Sequence, residues 1–473
     1  MDVPACPGCR ERDARLAEHE ARIAALEEEL RQLKALRGRN SSNSSTPPSA
    51  NPLGAPKPVV KKKSRRAPGG QPGHPPHLKQ LLPAERIRET FEFVPKQCRR
   101  CQAALPQQPG PNDPPPTRHQ EVELPPLVAF ATEYQGHSRT CPCCGAITQE
   151  PIPRELLVHS VGPRLTAVLS YLSGCHGLSK RGIEEISEAV FEAPVALGTV
   201  ANLEQEMSAA LAAPHQEAVA AVRAAEVKHV DETSWKLAGA LCWLWGAAST
   251  TVANGVAAFV IHAKRSSRGC VALLGAEIHG ILCSDRWGVY NQVPAERRQI
   301  CWAHLKRDFQ KIVDRGGPSA PVGQAGLRIV KRVFAAWHAY EDGQVTRTQL
   351  QARLAPIIRQ TIEVLVEGMS APDAAVRKFS ANVLDIYEAL WTFSREEGVE
   401  PTNNFMERLL RRAVLWRKRS FGCWSEAGCR FVERILTVVQ TKRLQGERVL
   451  DYLLDALVAH RRGTACPKLL HEG

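Results

Sequence analysis

The chain has 473 residues, 43% of them apolar and 23% charged. Those values exclude wholesale disorder, and at roughly 100–200 residues per domain they predict about three domains. Lys and Arg (62) outnumber Asp and Glu (49) for a formal net charge of +13, which points to a polyanionic partner without separating nucleic acid from an anionic membrane. The first residues, Met1 to Cys6, lack an apolar core of signal-peptide length, so a cytoplasmic protein is expected. Three Cys-x-x-Cys pairs among 15 cysteines favour metal ligation over disulfides.

Residues 10–37 read as a helix in which Leu16, Ile23, Leu26, Leu30 and Leu33 recur at alternating spacings of three and four. This is the pattern of a parallel coiled coil about three heptads long, and residues 1–40 are expected to build a homodimer or higher oligomer. The plainer alternative is one amphipathic helix packed on its own chain. Cys6 and Cys9 precede it; they meet their counterparts at such a dimer axis, or remain free thiols. Over 41–80 the composition turns to Asn, Ser, Pro, Gly and Lys, and a disordered linker is expected. Its cluster Lys61, Lys62, Lys63, Arg65 and Arg66 reads as a flexible arm that neutralises DNA phosphates, against the blander reading of a solvated linker.

Residues 81–150 carry Cys98-x-x-Cys101 and Cys141-x-x-Cys144, with strand-like stretches at 121–124 and 130–134. Two such knuckles place four thiolates around a structural zinc, and a segment this small and Pro-rich needs one. Cys143 is the spare. Residues 151–226 look helical, and a helix-turn-helix over 177–203, with Thr199 near the start of its second helix, competes with plain helical packing.

From Val227 the pattern is strand-like. Strands are expected over 227–233, 241–248 and 256–262, the last two joined by Asn254-Gly255, a hairpin signal that also argues against a membrane span. A helix over 266–274, a strand over 278–284 and a short strand over 298–302 follow. That order suits a ribonuclease-H-like α/β core within 227–446, interrupted by an all-helical insertion over 302–399; residues 447–473 read as a tail. The fold class expected is thus multidomain α+β. Asp231 and Asp285 fall on or just after strands, where Asp is normally depleted. With Glu407 on a late helix they form a candidate set for two Mg²⁺ or Mn²⁺ ions. Arg411 and Lys418 share the Glu407 face of that helix and, with Arg417, suit DNA phosphates; Arg411 is alternatively an ion-pair partner of Glu407.

The words around these acids are more specific. His229-Val230-Asp231-Glu232-Thr233-Ser234-Trp235, Cys283-Ser284-Asp285-Arg286-Trp287, Cys301-Trp302-Ala303-His304-Leu305, Thr402-Asn403-Asn404 with Glu407-Arg408, and Trp416-Arg417-Lys418-Arg419-Ser420-Phe421-Gly422 occur in order. Together they resemble the bacterial insertion-sequence transposases of family sixty-six over nearly the whole chain. The resemblance implies a DDE transposase whose triad is Asp231, Asp285 and Glu407 and whose zinc-ribbon ligands are Cys98, Cys101, Cys141 and Cys144. It also implies double-stranded DNA as partner, a nucleoid-associated location, and small accessory proteins of the same element as candidate partners. Phe405 and Met406 depart from the small residues usual before the glutamate, and Arg412 replaces a common proline. Cys301 and His304 have ligand-like spacing but make half a zinc site, and are assigned a structural role. The rival readings are a non-catalytic relative that only binds transposon ends, and a nuclease without strand transfer.

Overall fold

A computed structural model of the chain describes residues 15–27 and 81–470. Residues 15–27 form a helix, α1, with Leu16, Ile23 and Leu26 exposed. Leu30, Leu33, Cys6, Cys9 and the basic cluster from Lys61 to Arg66 lie outside the described residues. The described residues divide into two compact units, 81–129 in one and 15–27 with 130–470 in the other.

In the smaller unit a 3-10 turn (Ala84–Arg86) is followed by irregular chain. The Gln120 amide clasps Leu82, accepting from its N–H at 2.7 Å and donating to its carbonyl at 3.1 Å. The Cys98 loop closes on itself: Cys98 N–H donates to the Ala103 carbonyl at 2.8 Å, and Gln102 N–H donates to the Cys98 carbonyl at 2.9 Å.

The expected strands at 121–124 and 130–134 do not form; each segment lacks a ladder partner among the described residues. Leu124 and Phe130 are 72% and 95% exposed, so these alternating sequences find no apolar surface to lie on, and such a surface is what β propensity measures.

The larger unit opens with an antiparallel ribbon, β1 (Ser138–Thr140) and β2 (Ile147–Gln149), around the second knuckle. Helices α2 (Arg154–Leu157), α3 (Pro163–His176), α4 (Lys180–Phe191), α5 (Leu197–Ala210) and α6 (Ala212–Ala224) follow. Ser179 caps α4 by accepting from Gly182 N–H at 3.1 Å, a standard way to satisfy a free helix-end donor. Thr199 sits in the first turn of α5.

The sheet is β3 (Val227–Leu237), β4 (Ala240–Ser249), β5 (Val256–His262), β6 (Ile281–Ser284) and β7 (Arg298–Ile300), with α7 (Ser267–Leu274) between β5 and β6. Its spatial order is β5-β4-β3-β6-β7. The first three strands are antiparallel neighbours, whereas β6 runs parallel to β3 and β7 parallel to β6. Asn254 and Gly255 turn between β4 and β5 with positive φ of 61° and 124°. β6 starts later than its sequence pattern implies, and β7 ends at Ile300 because Trp302 opens a helix with Cys301 as its N-cap.

A run of helices follows β7: α8 (Trp302–Arg315), α9 (Ala320–Glu341), α10 (Arg347–Met369), α11 (Ala374–Leu384) and α12 (Thr392–Arg395). Its core joins Phe309, Ile329, Val333, Leu354 and Trp391 to Ile300 of the sheet. The far end is stitched to β7 and to the start of α8: Phe393 N–H donates to Gln299 Oε1 at 2.8 Å, and Trp302 Nε1 donates to the Leu390 carbonyl at 2.8 Å.

Three helices complete the unit: α13 (Asn404–Ser420), α14 (Glu426–Leu444) and α15 (Val449–Arg462). The outer edge of β5 is covered by one face of α14. Ala257 N–H donates to Thr441 Oγ1 at 3.1 Å, Phe259 N–H to Thr437 Oγ1 at 3.0 Å, and Ile261 N–H to Glu433 Oε1 at 2.5 Å. Helical spacing of four matches strand spacing of two, so a strand edge that would template foreign pairing is closed. Within 447–473, read as a tail, α15 buries Leu453, Ala456 and Leu457 completely in the core shared with α3, α5 and α14. Among the described residues no helix is long and apolar enough to cross a membrane.

Candidate active site

The sheet register lines up the first two acids. β3 pairs with β6 from Val227↔Ile281 to His229↔Cys283; continued two residues, the same register sets Asp231 level with Asp285, the first residue past β6. The β6–β7 ladder ends at Ser284↔Ile300, and Cys301 N–H then donates to the Ser284 carbonyl at 2.9 Å, placing Cys301 next in that row. Carboxyl ends of parallel strands, where the chain diverges into loops, are where α/β sheets gather ligands.

Glu407 arrives from α13, which forms because Phe405, Met406, Leu409, Leu410 and Ala413 make one apolar face at helical spacing and pack on Trp235, Leu244 and Phe259. Asn403, immediately before this helix, is 1% exposed and fixes its start. Its Nδ2 donates to the Val230 carbonyl at 2.7 Å, so its Oδ1 is left to accept from His229 Nδ1, 3.0 Å away. Its backbone N–H points at Cys301 Sγ at 3.2 Å, and its carbonyl accepts from Glu407 N–H at 3.2 Å. Burial lowers the His229 pKa to about 4, which keeps that imidazole neutral and able to serve as the donor.

Burial, and then the negative charges of Glu232, Asp285 and Glu407, push the Asp231 carboxyl well above the usual carboxylate range. Asp231 Oδ1 accepts from Glu232 N–H at 2.9 Å, and Asp285 Oδ1 from Trp287 N–H at 2.9 Å. Fully buried Arg298 reaches the Asp285 carbonyl at 3.4 Å and Asn291 at 2.8 Å, tying down the loop after β6.

Glu232 is a second acid beside Asp231 whose surroundings the sequence concealed. Tyr290 donates to its Oε2 at 2.7 Å and Arg265 Nε to its Oε1 at 2.7 Å. The Arg265 guanidinium lies 4.1 Å from the Trp287 ring centroid. Tyr290 and Trp287 belong to the loop that follows Asp285, so this network couples the two aspartate-bearing segments. No local spacing marks it, because its members lie on three separate segments of the chain.

Glu407 also has unexpected neighbours. One ligand atom each of Cys301, His304 and Glu407 lie within 4.8 Å of one another, and this is the one such trio of possible metal ligands among the described residues. The side chains of Asp231, Asp285 and Glu407 are not gathered that closely. Glu407 Oε1 is 3.7 Å from His304 Nδ1 and 3.9 Å from Arg307 Nη2, and among the described residues no ion pair joins it to Arg411. Glu407 Oε1 and His304 Nδ1 are both buried without a hydrogen-bond partner.

The bulk before Glu407 has a place. Met406 is fully buried over β4, and a Cβ at Gly246, the residue opposite Asp231, would overlap its terminal methyl and come within 2.9 Å of the Phe259 ring. Phe405 meets the His229 ring edge-on at 5.2 Å.

Arg411 and Lys418 are exposed on α13. Arg417 is otherwise engaged: its guanidinium donates to Thr233 Oγ1 at 3.2 Å and to both the carbonyl and hydroxyl of Ser234, pinning the helix to β3 rather than offering a free cation. Arg412 reaches the Cys175 carbonyl at 3.3 Å.

The two Cys-x-x-Cys loops share one local design. Cys141 N–H donates to Ala146 at 2.8 Å and Gly145 N–H to Cys141 at 2.9 Å, repeating the Cys98 loop; Gln102 and Gly145 supply the positive φ, 62° and 74°. In both, the first thiol's pKa is lowered, chiefly by backbone N–H groups of the second cysteine and then of the residue before it. The backbone donors of each loop thus ease ionisation of its first thiol, and the thiolate is the state that binds zinc.

A mixed helix-and-sheet domain with Asp231 on its central strand level with Asp285 just past the neighbouring parallel strand is the class these observations define. A family description, the transposase IS66 family, matches residues 159–430, more than half of the chain, and the chain belongs to that family. A family of unknown function, DUF6444, matches residues 7–80. An uncharacterized protein, y4qI, of Sinorhizobium fredii is 27% identical over 246 residues, 47% of this chain and 44% of its own length. The chain thus spans less than half of that relative.

Proposed function

We propose that this chain is a DDE transposase with a ribonuclease-H-like catalytic domain, cutting DNA at transposon ends and joining the freed 3′-hydroxyls to target DNA. The observation that carries the reading is that the β3–β6 register, continued two residues, sets Asp231 level with Asp285 just past β6, with the Glu407 helix anchored to β3 through Asn403. An antiparallel meander followed by two parallel strands supports the fold assignment.

The donor set fits hard divalent cations. Asp231 sits among acids with its pKa driven up, a condition that Mg²⁺ or Mn²⁺ on oxygen ligands relieves. Asp231, Asp285 and Glu407 are the residues that would hold them. When bound, a metal pair supplies Lewis acidity that activates a water or 3′-hydroxyl and stabilises the leaving oxygen.

The chain's own contribution is positioning. Arg298 fixes the Asp285 loop, Asn403 fixes the start of the Glu407 helix, and the Glu232–Arg265–Tyr290 network holds the segments around both aspartates together. Exposed Arg411 and Lys418 bind phosphates of double-stranded DNA, aided by Lys61, Lys62, Lys63, Arg65 and Arg66. Cys98, Cys101, Cys141 and Cys144 are zinc ligands, the N-terminal helix assembles the two chains that hold two ends, and the protein works on the nucleoid in the cytoplasm with accessory proteins of its element.

The test is labelled DNA carrying the element's own end, with Mg²⁺ or Mn²⁺ and any accessory proteins, using wild type and Asp231→Asn. Nicking lost in the variant, together with joined products, supports the transposase. Nicking without joining indicates a nuclease, and binding without cleavage a non-catalytic relative.

A further inference from the structure

We propose that Cys301, His304 and Glu407 form a thiolate–imidazole–carboxylate site for a zinc-class divalent metal, separate from the aspartate-based magnesium site but sharing Glu407 with it. Cys301 caps α8 and His304 lies three residues on, a spacing that puts both on one helix face; Glu407 comes from the first turn of α13. Their ligand atoms lie within 4.8 Å of one another. A tetrahedral metal with nitrogen and oxygen bonds of about 2.0–2.2 Å sets those two donors roughly 3.3–3.5 Å apart, so His304 Nδ1 and Glu407 Oε1, at 3.7 Å, stand within a few tenths of an ångström of ligand spacing.

Three features favour a metal over an ordinary ion pair. His304 Nδ1 and Glu407 Oε1 are both buried and lack hydrogen-bond partners, although either would normally find one. The Asn403 N–H is aimed at Cys301 Sγ at 3.2 Å, the kind of outer contact that steadies a metal-bound thiolate. A sulfur and an imidazole nitrogen select zinc or its analogues over Mg²⁺ and Mn²⁺. Glu407 is 35% exposed, which leaves a side open for entry and for a fourth, water ligand.

Loading releases the Cys301 thiol proton to solvent and forms one metal–sulfur bond; nothing is oxidised. Glu407 held there is withdrawn from Asp231 and Asp285, so zinc would restrain cleavage. That consequence rests on the proposed two-metal reading. The binding site itself does not, and its readout is a spectrum.

The experiment uses the full chain carrying Cys6→Ser, Cys9→Ser, Cys98→Ser and Cys141→Ser, stripped of metal and titrated with Co²⁺. The expected result is one equivalent bound with a thiolate-to-cobalt charge-transfer band and tetrahedral visible bands, apart from any uptake by carboxylates, which carries no such band. Adding Cys301→Ser should abolish the charge-transfer band, and His304→Ala, at a partly exposed position, should remove the equivalent even if Cys301→Ser fails to fold. Unchanged uptake and spectra in both variants would overturn the site. A band that responds while zinc leaves DNA nicking untouched upholds the site and counts against Glu407 as a cleavage residue.

Discussion

Asn403 Nδ2 donates to the Val230 carbonyl at 2.7 Å, joining the residue before the Glu407 helix to the residue before Asp231 across a long stretch of sequence. Because Asn403 also accepts from His229 and points its N–H at Cys301, one side chain and its own backbone connect β3, the end of β7 and α13. The helical insertion leaves the sheet after β7 and returns at this residue. Asn403 therefore keeps the inserted helices from displacing the third acid.

Asn403→Ala is expected to lose about 1–3 kcal/mol of stability, since it leaves the Val230 carbonyl and His229 Nδ1 buried without partners. Cleavage should fall by more than the unfolded fraction explains, because Glu407 loses its anchor. Denaturant melts and nicking assays on the same preparation read both. Normal nicking by a fully folded variant would dismiss the positioning role.

The basic helix separates into two kinds of residue. Arg411→Ala and Lys418→Ala should each lower the slope of log affinity against log salt by about 1, as expected for lost phosphate contacts. Arg417→Ala should leave that slope nearly unchanged and instead destabilise the fold, because its guanidinium is spent on Thr233 and Ser234. Binding isotherms at several salt concentrations, paired with thermal melts, distinguish the two groups.

Much of the sheet was legible. Apolar alternation and Asn254-Gly255 located β3 to β5, and aspartates where strands rarely carry them marked the row that the register then aligned. What was hidden depends on distance along the chain. Cys301 and His304 looked like half a site because their third neighbour, Glu407, lies about a hundred residues on, past α9 to α12. Arg417 looked like its exposed neighbours because charge patterning does not reveal which guanidinium folds back onto a strand. The segment after residue 447 read as a tail, yet Val449, Leu453, Ala456 and Leu457 have helical spacing and are buried. The strand-like 121–124 and 130–134 failed for the opposite reason: a local pattern was present, but no surface received it.

Zinc content tests the knuckles directly. Wild-type protein is expected to purify with zinc, and Cys98→Ser and Cys141→Ser each with less, while Cys143→Ser matches wild type. Metal analysis of extensively dialysed protein gives the answer, and equal zinc in all four would remove both knuckles from consideration.

Glu433 predicts a pH effect. Burial is the main cause that raises its pKa to about 7, while its Oε1 accepts from Ile261 N–H. A raised acid means that the folded state holds the proton more tightly than the unfolded chain, whose value lies near 4.5. Stability from this group is therefore fully present below about pH 4.5 and is lost as pH rises to about 7. Glu433→Gln keeps an acceptor for Ile261 and should flatten that decline, with a gain of up to about 3 kcal/mol at pH 8. Urea melts at several pH values between 4 and 8 would show it; parallel curves for the two proteins would contradict it.

The pairing of Gly246 with Met406 gives the sharpest packing test, because it explains how a bulky residue is accommodated beside Glu407. Gly246 lies opposite Asp231 on β4, and the missing side chain leaves the space that the Met406 methyl occupies. Gly246→Ala should cost about 1–3 kcal/mol by overpacking, since fully buried Phe259 blocks the other side. Met406→Ala should cost about 2–5 kcal/mol by leaving a cavity. Combined, the new methyl enters the vacated space, so the double variant should be at least about 1 kcal/mol more stable than the sum of the two losses. Strict additivity would mean that the two residues do not share that space. If coupling is found, cleavage should follow it: Gly246→Ala pushes on the residue next to Glu407 and should depress nicking, and Met406→Ala in the same chain should restore part of it.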